Sequence, residues 1–514
     1  MSPGVRISKV PPAVSVAALC LGGMTAALSQ TLVIPIQSDL PDLLGTSASS
    51  AAWVVTVTLL AAAVAMVVAG RLADLFGKQR VLVASAATLV VGSLVCAMSS
   101  SILPMLTGRA LQGLGMGFIP VGISLIREIT PPKMAATSLA AMSATLGVGG
   151  AIGLPLAAWI VNSLNWHALF WVSAGIAGLV LLASVFAVPH VRDSHGGSMD
   201  IGGALGLAAG LVAFLVGISK GNDWGWASVN TLGAIIGGVV ILVAWGAYEL
   251  RQAEPLVDLR ATAKRPVLMT NIAAVAVGFG MMAQSIVVPQ LLQLPKATGF
   301  GLGQSVLAAG LWMAPGGLMM LLFAPVSSKL IATLGARITL MTGATVLAFG
   351  YVIAALWMDA SWQLLLVSCV ASAGVGIGYA AMPTLIMDAT PPAEAGAAVG
   401  LNALSRSVGA TLAAALMGTL LASNTITLGN TQVPDQDAFR LCFIVGAVAA
   451  LLGAGLATFI SARRPARSTD IVSGGSPQNG IGGPAAVSLI DPQDAPFAPA
   501  ARTSDDTSTV TTKV

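Results

Sequence analysis

Apolar runs of about 20 residues, the length an α-helix needs to cross a ~30 Å hydrocarbon core, recur along this chain from Val14 to Ile460 with short polar breaks between them. They place spans near residues 14–36, 52–70, 81–98, 103–126, 135–161 and 168–189, then 201–219 and 232–249. A last group falls near 267–294, 304–326, 336–357, 362–387, 396–424 and 439–461. The grouping is six, two, six. It predicts an all-α polytopic membrane protein with 14 transmembrane helices. An N-terminal segment, 1–13, leads into a six-helix bundle over 14–189. Two inserted helices with their linkers occupy 190–266, a second six-helix bundle covers 267–461, and a tail follows over 462–514.

Composition agrees with the pattern. Hydrophobic residues make up 56% of the chain and charged residues 9%, whereas a soluble domain carries roughly a quarter charged residues. Arg6 and Lys9 precede the first apolar run as they would in a signal peptide, but the run continues through Ile34 without a small-residue cleavage site. It reads as the first span. Beyond about Pro465 the chain turns to Ser, Thr, Asp, Pro and Gly, too polar to bury a core, so 462–514 is expected to be a disordered tail.

An even number of spans puts both termini on one side, and the excess of Lys and Arg identifies that side as cytoplasmic. The terminus-side segments up to Arg467 hold 17 basic residues; the opposite loops hold Lys220, Lys296 and Arg440. The net charge of +4 therefore marks topology in a cell (inner or plasma) membrane. Without a basic patch interleaved with aromatics it is no sign of nucleic acid. Cys20, Cys96, Cys369 and Cys442 all fall in apolar stretches with no metal or disulfide spacing, and read as packing residues.

The two groups of six resemble each other. Leu125-Ile-Arg-Glu-Ile-Thr-Pro-Pro132 matches Leu385-Ile-Met-Asp-Ala-Thr-Pro-Pro392, and Gly113/Gly115/Gly117 correspond to Gly374/Gly376/Gly378. Duplicated halves suit a transporter, since rocking one against the other exposes a midplane site alternately to each side.

Gly70-Arg-Leu-Ala-Asp-Leu-Phe-Gly-Lys-Gln-Arg80, between the second and third spans, resembles the signature loop of the major facilitator superfamily. A degenerate copy, Ser328-Lys-Leu-Ile-Ala-Thr-Leu-Gly-Ala-Arg337, has Ala332 where Asp74 stands. Gly70 and Gly77 allow close approach and a tight turn. Asp74 is expected to join Arg71, Lys78 and Arg80 in a charge cluster that latches the halves; the plainer reading is a basic loop that only sets topology.

Arg109-Ala-Leu-Gln-Gly-Leu-Gly-Met-Gly117 is similar to the family's second motif, with Arg109, Gln112, Gly113 and Met116 on one helical face. An arginine at mid-bilayer costs at least ~2.5 kcal/mol. It is kept for a polar partner, a water-filled cavity or a function, or it bonds only to neighbouring carbonyls. The resemblance implies a part in proton movement. Gly147-Val-Gly-Gly-Ala-Ile-Gly-Leu-Pro155 is similar to the motif of drug antiporters, with Leu154 intervening between Gly153 and Pro155. Gly149 and Gly153 suit a close helix crossing and Pro155 a kink.

With Trp53-Val-Val-Thr56, Trp166-His-Ala-Leu-Phe-Trp171 and Pro255-Leu-Val-Asp-Leu259, the six-two-six order resembles the fourteen-span drug:proton antiporters over residues 12–463. That implies the major facilitator fold, two six-helix bundles plus two extra helices, and proton-coupled efflux of amphipathic compounds such as drugs or antibiotics.

The family's first-span acid is missing here, where the sequence reads Leu28-Ser29-Gln30-Thr31, and none of the 20 Asp and Glu falls deep in a predicted span. A desolvated cation needs an anion nearby, so a neutral or acidic amphiphile is at least as well suited as a lipophilic cation. The proton carrier is open among Asp74, Glu128, Asp388 and His167, with Asp74 and Arg109 favoured as a pair. Arg406 shares a helical face with Asn402, and both are candidates for the cavity lining with Ser29, Gln30, Met281, Gln284, Trp312 and Tyr379. Met282, Met319 and Met320 would add adaptable apolar surface, or face lipid and neighbouring helices.

No GxxxxGK[ST] loop is present to bind ATP, and no nucleophile, metal or acid-base constellation suggests an enzyme. No cofactor is expected. The partners implied are a small amphipathic substrate, protons and membrane lipids, with no nucleic acid and a monomeric chain. Alternatives are uptake or lipid flipping on the same fold, or a non-transporting membrane sensor.

Overall fold

The computed structural model describes residues 10–37, 39–191, 198–428 and 431–460. The expected tail over 462–514 and most of the segment 1–13 lie outside the described residues. Among the described residues, fourteen helices are long and apolar enough to cross a bilayer. They are α1 (Pro12–Ile36), α2 (Ser49–Phe76), α3 (Lys78–Ala97), α4 (Ile102–Ile129), α5 (Met134–Ser163), α6 (His167–Phe186), α7 (Ile201–Trp224) and α8 (Val229–Glu249). The second series is α9 (Arg265–Gln293), α10 (Val306–Leu334), α11 (Ala336–Leu356), α12 (Ser361–Ala389), α13 (Pro392–Ser423) and α14 (Gln436–Ala457).

Every span expected from the apolar runs has its helix, but three helices outrun their apolar stretch by five residues or more: α2 continues from residue 70 to Phe76, α7 from 219 to Trp224 and α10 from 326 to Leu334. Helix starts are set by local chemistry. Asp200, Ser228, Ser305 and Asp435 each accept a backbone N–H three residues on, capping α7, α8, α10 and α14. A small antiparallel hairpin, β1 (Thr425–Leu428) and β2 (Thr431–Pro434), joins α13 to α14; no alternating pattern announced it.

Within the first six helices α1 packs on α5 and α6, α2 on α4, and α3 on α4 and α6. The same neighbours recur eight helices later: α9 on α13 and α14, α10 on α12, and α11 on α12 and α14. The halves meet along two seams related by the same rule, α2 against α13 and α5 against α10.

The inserted pair is not placed symmetrically. Leu207, Leu211 and Leu215 of α7 pack with Leu60, Ala63 and Val67 of α2 and with Leu404 of α13, so α7 covers the first seam and touches both halves. Lys220 of α7 is buried, bonded to Asp223 at 2.9 Å and 5.5 Å from the centre of the Trp53 ring. Helix α8 stands outside it with Val229, Val240 and Val243 exposed, as expected of a surface that faces lipid tails.

Candidate functional site

The signature loop folds as a hinge of one residue. Gly77 adopts φ +95°, which a side chain would resist, and turns α2 into α3; Gly335 adopts φ +88° at the matching place between α10 and α11. Because α2 runs past its apolar stretch, Asp74 sits inside the helix and is only 4% exposed. Its carboxylate accepts from the backbone N–H groups of Gly396 (3.1 Å) and Ala397 (2.9 Å) in the first α-helical turn of α13, which opens at Ala395 after a short 3-10 turn. Helix N-termini leave such donors unpaired and favour an anion. No side chain of α13's own caps that turn, so the first half supplies the cap for a helix of the second.

The contact is tight enough to require glycine. A Cβ on Gly70 would meet the Gly396 carbonyl, and one on Gly396 would meet Asp74 Oδ1. Around it, Lys78 bonds Glu128 and Arg127 Nη2 reaches Asp388 Oδ1 at 2.8 Å across the halves. The latter pair is exposed and contributes little.

The expected charge cluster is met in part. Asp74 is hydrogen-bonded to backbone N–H groups of α13, and the charges of Lys78 and Arg71 lie near enough to act on its carboxylate; Arg80 is exposed, and Arg71 Nε is enclosed without an acceptor. At the second seam, where Ala332 replaces the acid, the link is a hydroxyl pair, Thr137 Oγ1 to Ser328 Oγ at 3.0 Å. The two seams are alike in geometry and unlike in charge.

Arg109 is 1% exposed in α4. Its Nη1 donates to the Ser29 carbonyl (2.9 Å) and to Gln112 Oε1 (2.7 Å), and Nε to the Val54 carbonyl (3.2 Å). Gln112 in turn donates to Ser93 Oγ (2.8 Å), which pairs with Ser173 Oγ (3.0 Å). One network thus ties α4 to α1, α2, α3 and α6. Ser29 takes part through its carbonyl while its hydroxyl bonds Ala26, and Gln30 is half-buried. The favoured pairing of Asp74 with Arg109 is not a contact: Arg109 bonds at Val54, 20 residues and about 30 Å along α2 from Asp74. His167 lies at the other end from Asp74, its ring nitrogens against Asn165 Oδ1 (2.9 Å) and the Ser99 carbonyl (3.0 Å).

Helix α5 uses two faces. Gly149 and Gly153 lie against Met24, Ala27 and Thr31 of α1, while Gly147, Ala151 and Pro155 face Met320, Gly317 and Gly310 of α10. The antiporter-like motif thus packs on α1 within the first bundle through one face and across the second seam through the other, and Gly113 likewise lets α4 close on Thr58 of α2.

In the second half Arg406, Asn402 and Tyr379 come together, joined by Asn271 of α9. Gln284 donates to Ser372 Oγ at 3.3 Å, linking α9 to α12. Trp312 and Met281 are half-buried against the second half's core. Asn271, Ser372 and the buried Tyr351 escaped the sequence reading. An amide within an apolar run was the available signal for the first.

An open recess of about 360 Å³ lined by Ser198, Asp200, Gln252 and Glu254 lies at the base of the inserted pair, away from all these residues. There the Ser198 backbone N–H and hydroxyl hold Glu254 below the usual carboxylate range. Among the described residues no three His, Cys, Asp or Glu side chains gather as a metal site.

The profile of the Major Facilitator Superfamily matches residues 19–330 and 270–501. A multidrug resistance protein B homolog of Mycobacterium tuberculosis is 28% identical over 78% of this chain and 74% of its own. The tetracenomycin C resistance and export protein of Streptomyces glaucescens is 27% identical over 79% and 75%. Two M. tuberculosis relatives described as uncharacterized MFS-type transporters are 28% identical over 84% of this chain, which spans 64% of their length. Among solved structures, the human organic anion transporter MFSD10 superposes with a TM-score of 0.61 at 16% identity, covering 87% of this chain and 99% of that one. With its paired bundles, its signature loop and a profile match along most of its length, this chain belongs to the major facilitator superfamily.

Proposed function

We propose that the protein exports small amphipathic compounds, such as drugs or antibiotics, across the plasma membrane in exchange for protons. It works as a monomer surrounded by lipid. The observation that carries this reading is the bond between Asp74 and the first turn of α13. It joins two equivalent bundles at one end through a buried carboxylate, as a releasable latch for alternating access should.

The basic residues put the latched end in the cytoplasm, so this conformer is the one closed to the cytoplasm. Residues 14–189 and 267–461 are the rocking bundles, and α7 with α8 guards one seam. Several relatives are named for drug resistance or export, which favours export over uptake or lipid flipping. The proton gradient is the energy source consistent with a chain that has no nucleotide loop. Asp74 is the carboxylate best placed to turn protonation into release, since protonation would weaken its hold on the α13 donors.

Cells expressing the protein should accumulate less of an amphipathic dye than control cells, and a protonophore should abolish the difference. Higher accumulation on expression would favour uptake, and efflux indifferent to the protonophore would remove the proton from the mechanism.

A further inference from the structure

Arg109 and Arg406, both set well inside their helices, are satisfied to different degrees. Arg109 has three protein acceptors. Arg406 lies about 16 Å along α13 from Ala395, by helix rise, and has one: its Nη1 donates to Asn402 Oδ1 at 2.5 Å. Its guanidinium carbon lies 4.5 Å from the centre of the Tyr379 ring. No carboxylate is paired with it among the described residues, and 6% of its surface remains open.

The neighbouring amides have their orientation forced. Arginine can only donate, so the Asn402 oxygen faces Arg406 and the Asn402 nitrogen faces away, onto Asn271 Oδ1 at 3.0 Å. Asn271 must then present oxygen to Asn402, and its own Nδ2 is left enclosed without an acceptor in a side chain that is 93% buried, being 7% exposed. Every oxygen in the chain of three is used. What remains consists of donors alone, the free edge of Arg406 and Asn271 Nδ2. An enclosed donor without a partner is costly and calls for an explanation.

We propose that this donor-only cluster receives the oxyanion of an amphipathic ligand, a carboxylate, sulfonate or phosphate, with Tyr379 holding the guanidinium plane for two-point contact. The inference rests on the transport reading only in taking the bound compound to be the exported one. The oxyanion can belong to a soluble acid or to an anionic lipid.

The test is direct binding to the purified full-length protein in phosphatidylcholine nanodiscs, using a naphthyl carboxylate, its methyl ester and a naphthyl quaternary ammonium. The acid is expected to bind roughly 10- to 100-fold more tightly than the ester, the range of a hydrogen bond to a charged group. Arg406→Gln should abolish that preference and Arg406→Lys restore part of it. Asn271→Asp keeps the oxygen that Asn402 uses and replaces the enclosed donor by an anion, so it too should lose the acid, even if Arg406→Gln fails to fold. Nanodiscs containing phosphatidylglycerol separate the sources: displacement of the acid assigns the site to lipid headgroups, and undisturbed binding assigns it to the soluble acid. Equal binding of acid and ester, preference for the quaternary cation, or an acid preference that survives Asn271→Asp would each overturn the proposal. Acid binding that depends on Arg406, without proton-driven export of the same probe, would overturn the export reading and leave the site standing. Export with no such dependence would do the reverse.

Discussion

Asp74→Asn is expected to abolish transport while leaving the protein folded and in the membrane. The substitution keeps shape but removes the charge and turns an amide nitrogen toward donors that need an acceptor, the N–H groups of Gly396 and Ala397. Hydrogen bonds to a charged acceptor are worth roughly 1.5–3 kcal/mol, and the anion's position at a helix N-terminus adds to this. A shift of about 2 kcal/mol between two conformers changes their ratio about 30-fold. Among the described residues the second seam shows no equivalent carboxylate to compensate, because Ala332 stands in the acid's place and the side-chain bond there is a hydroxyl pair. Export rates normalised to membrane-inserted protein should fall at least about tenfold, by the same arithmetic. Spin labels near Ile129 at the end of α4 and Ala389 at the end of α12 should show this end of the molecule opening. Unchanged transport would mean that the loop serves topology alone.

The second large effect is expected at Arg109, and it should appear as stability. Arg109→Ala leaves Gln112 Oε1 without its donor, removes one donor from the Ser29 and Val54 carbonyls, the latter keeping the Thr58 hydroxyl, and opens a cavity where four helices are tied to α4. A buried group left unpaired costs about 1–3 kcal/mol and the cavity adds to it, so thermal unfolding in detergent should occur well below that of the unmodified protein. Arg109→Lys retains charge but has no planar fork to reach acceptors on α1, α2 and α4 together. It should impair export of acidic, neutral and cationic dyes alike, unlike changes at Arg406. Normal unfolding and normal export in Arg109→Ala would show the network to be dispensable.

The spans, their grouping and the internal repeat were legible because a bilayer imposes a fixed apolar length and leaves each helix to satisfy its own backbone. The limits of the helices were less so. Arg71 and Asp74 interrupt the apolar run, yet α2 continues through them because their surroundings are protein, with α13 against Gly70. Asp74 was recognisable as the acid of the signature loop, but its partners are backbone N–H groups 322 and 323 residues away, and no side-chain pattern encodes a backbone donor. The same holds for Arg109, whose acceptors include two carbonyls. Asn271 was missed because its meaning lies in an amide orientation imposed from another helix.

The central claim, exchange of an amphipathic compound for protons by alternating access, is tested most directly by recording both fluxes in one preparation. In proteoliposomes containing the full-length chain, an imposed pH gradient should drive dye uphill in one direction and protons in the other. Both fluxes should be lost together in Asp74→Asn and on collapse of the gradient. Dye movement that persists at the same rate without the gradient, or that proceeds with no proton counterflow, would contradict the account.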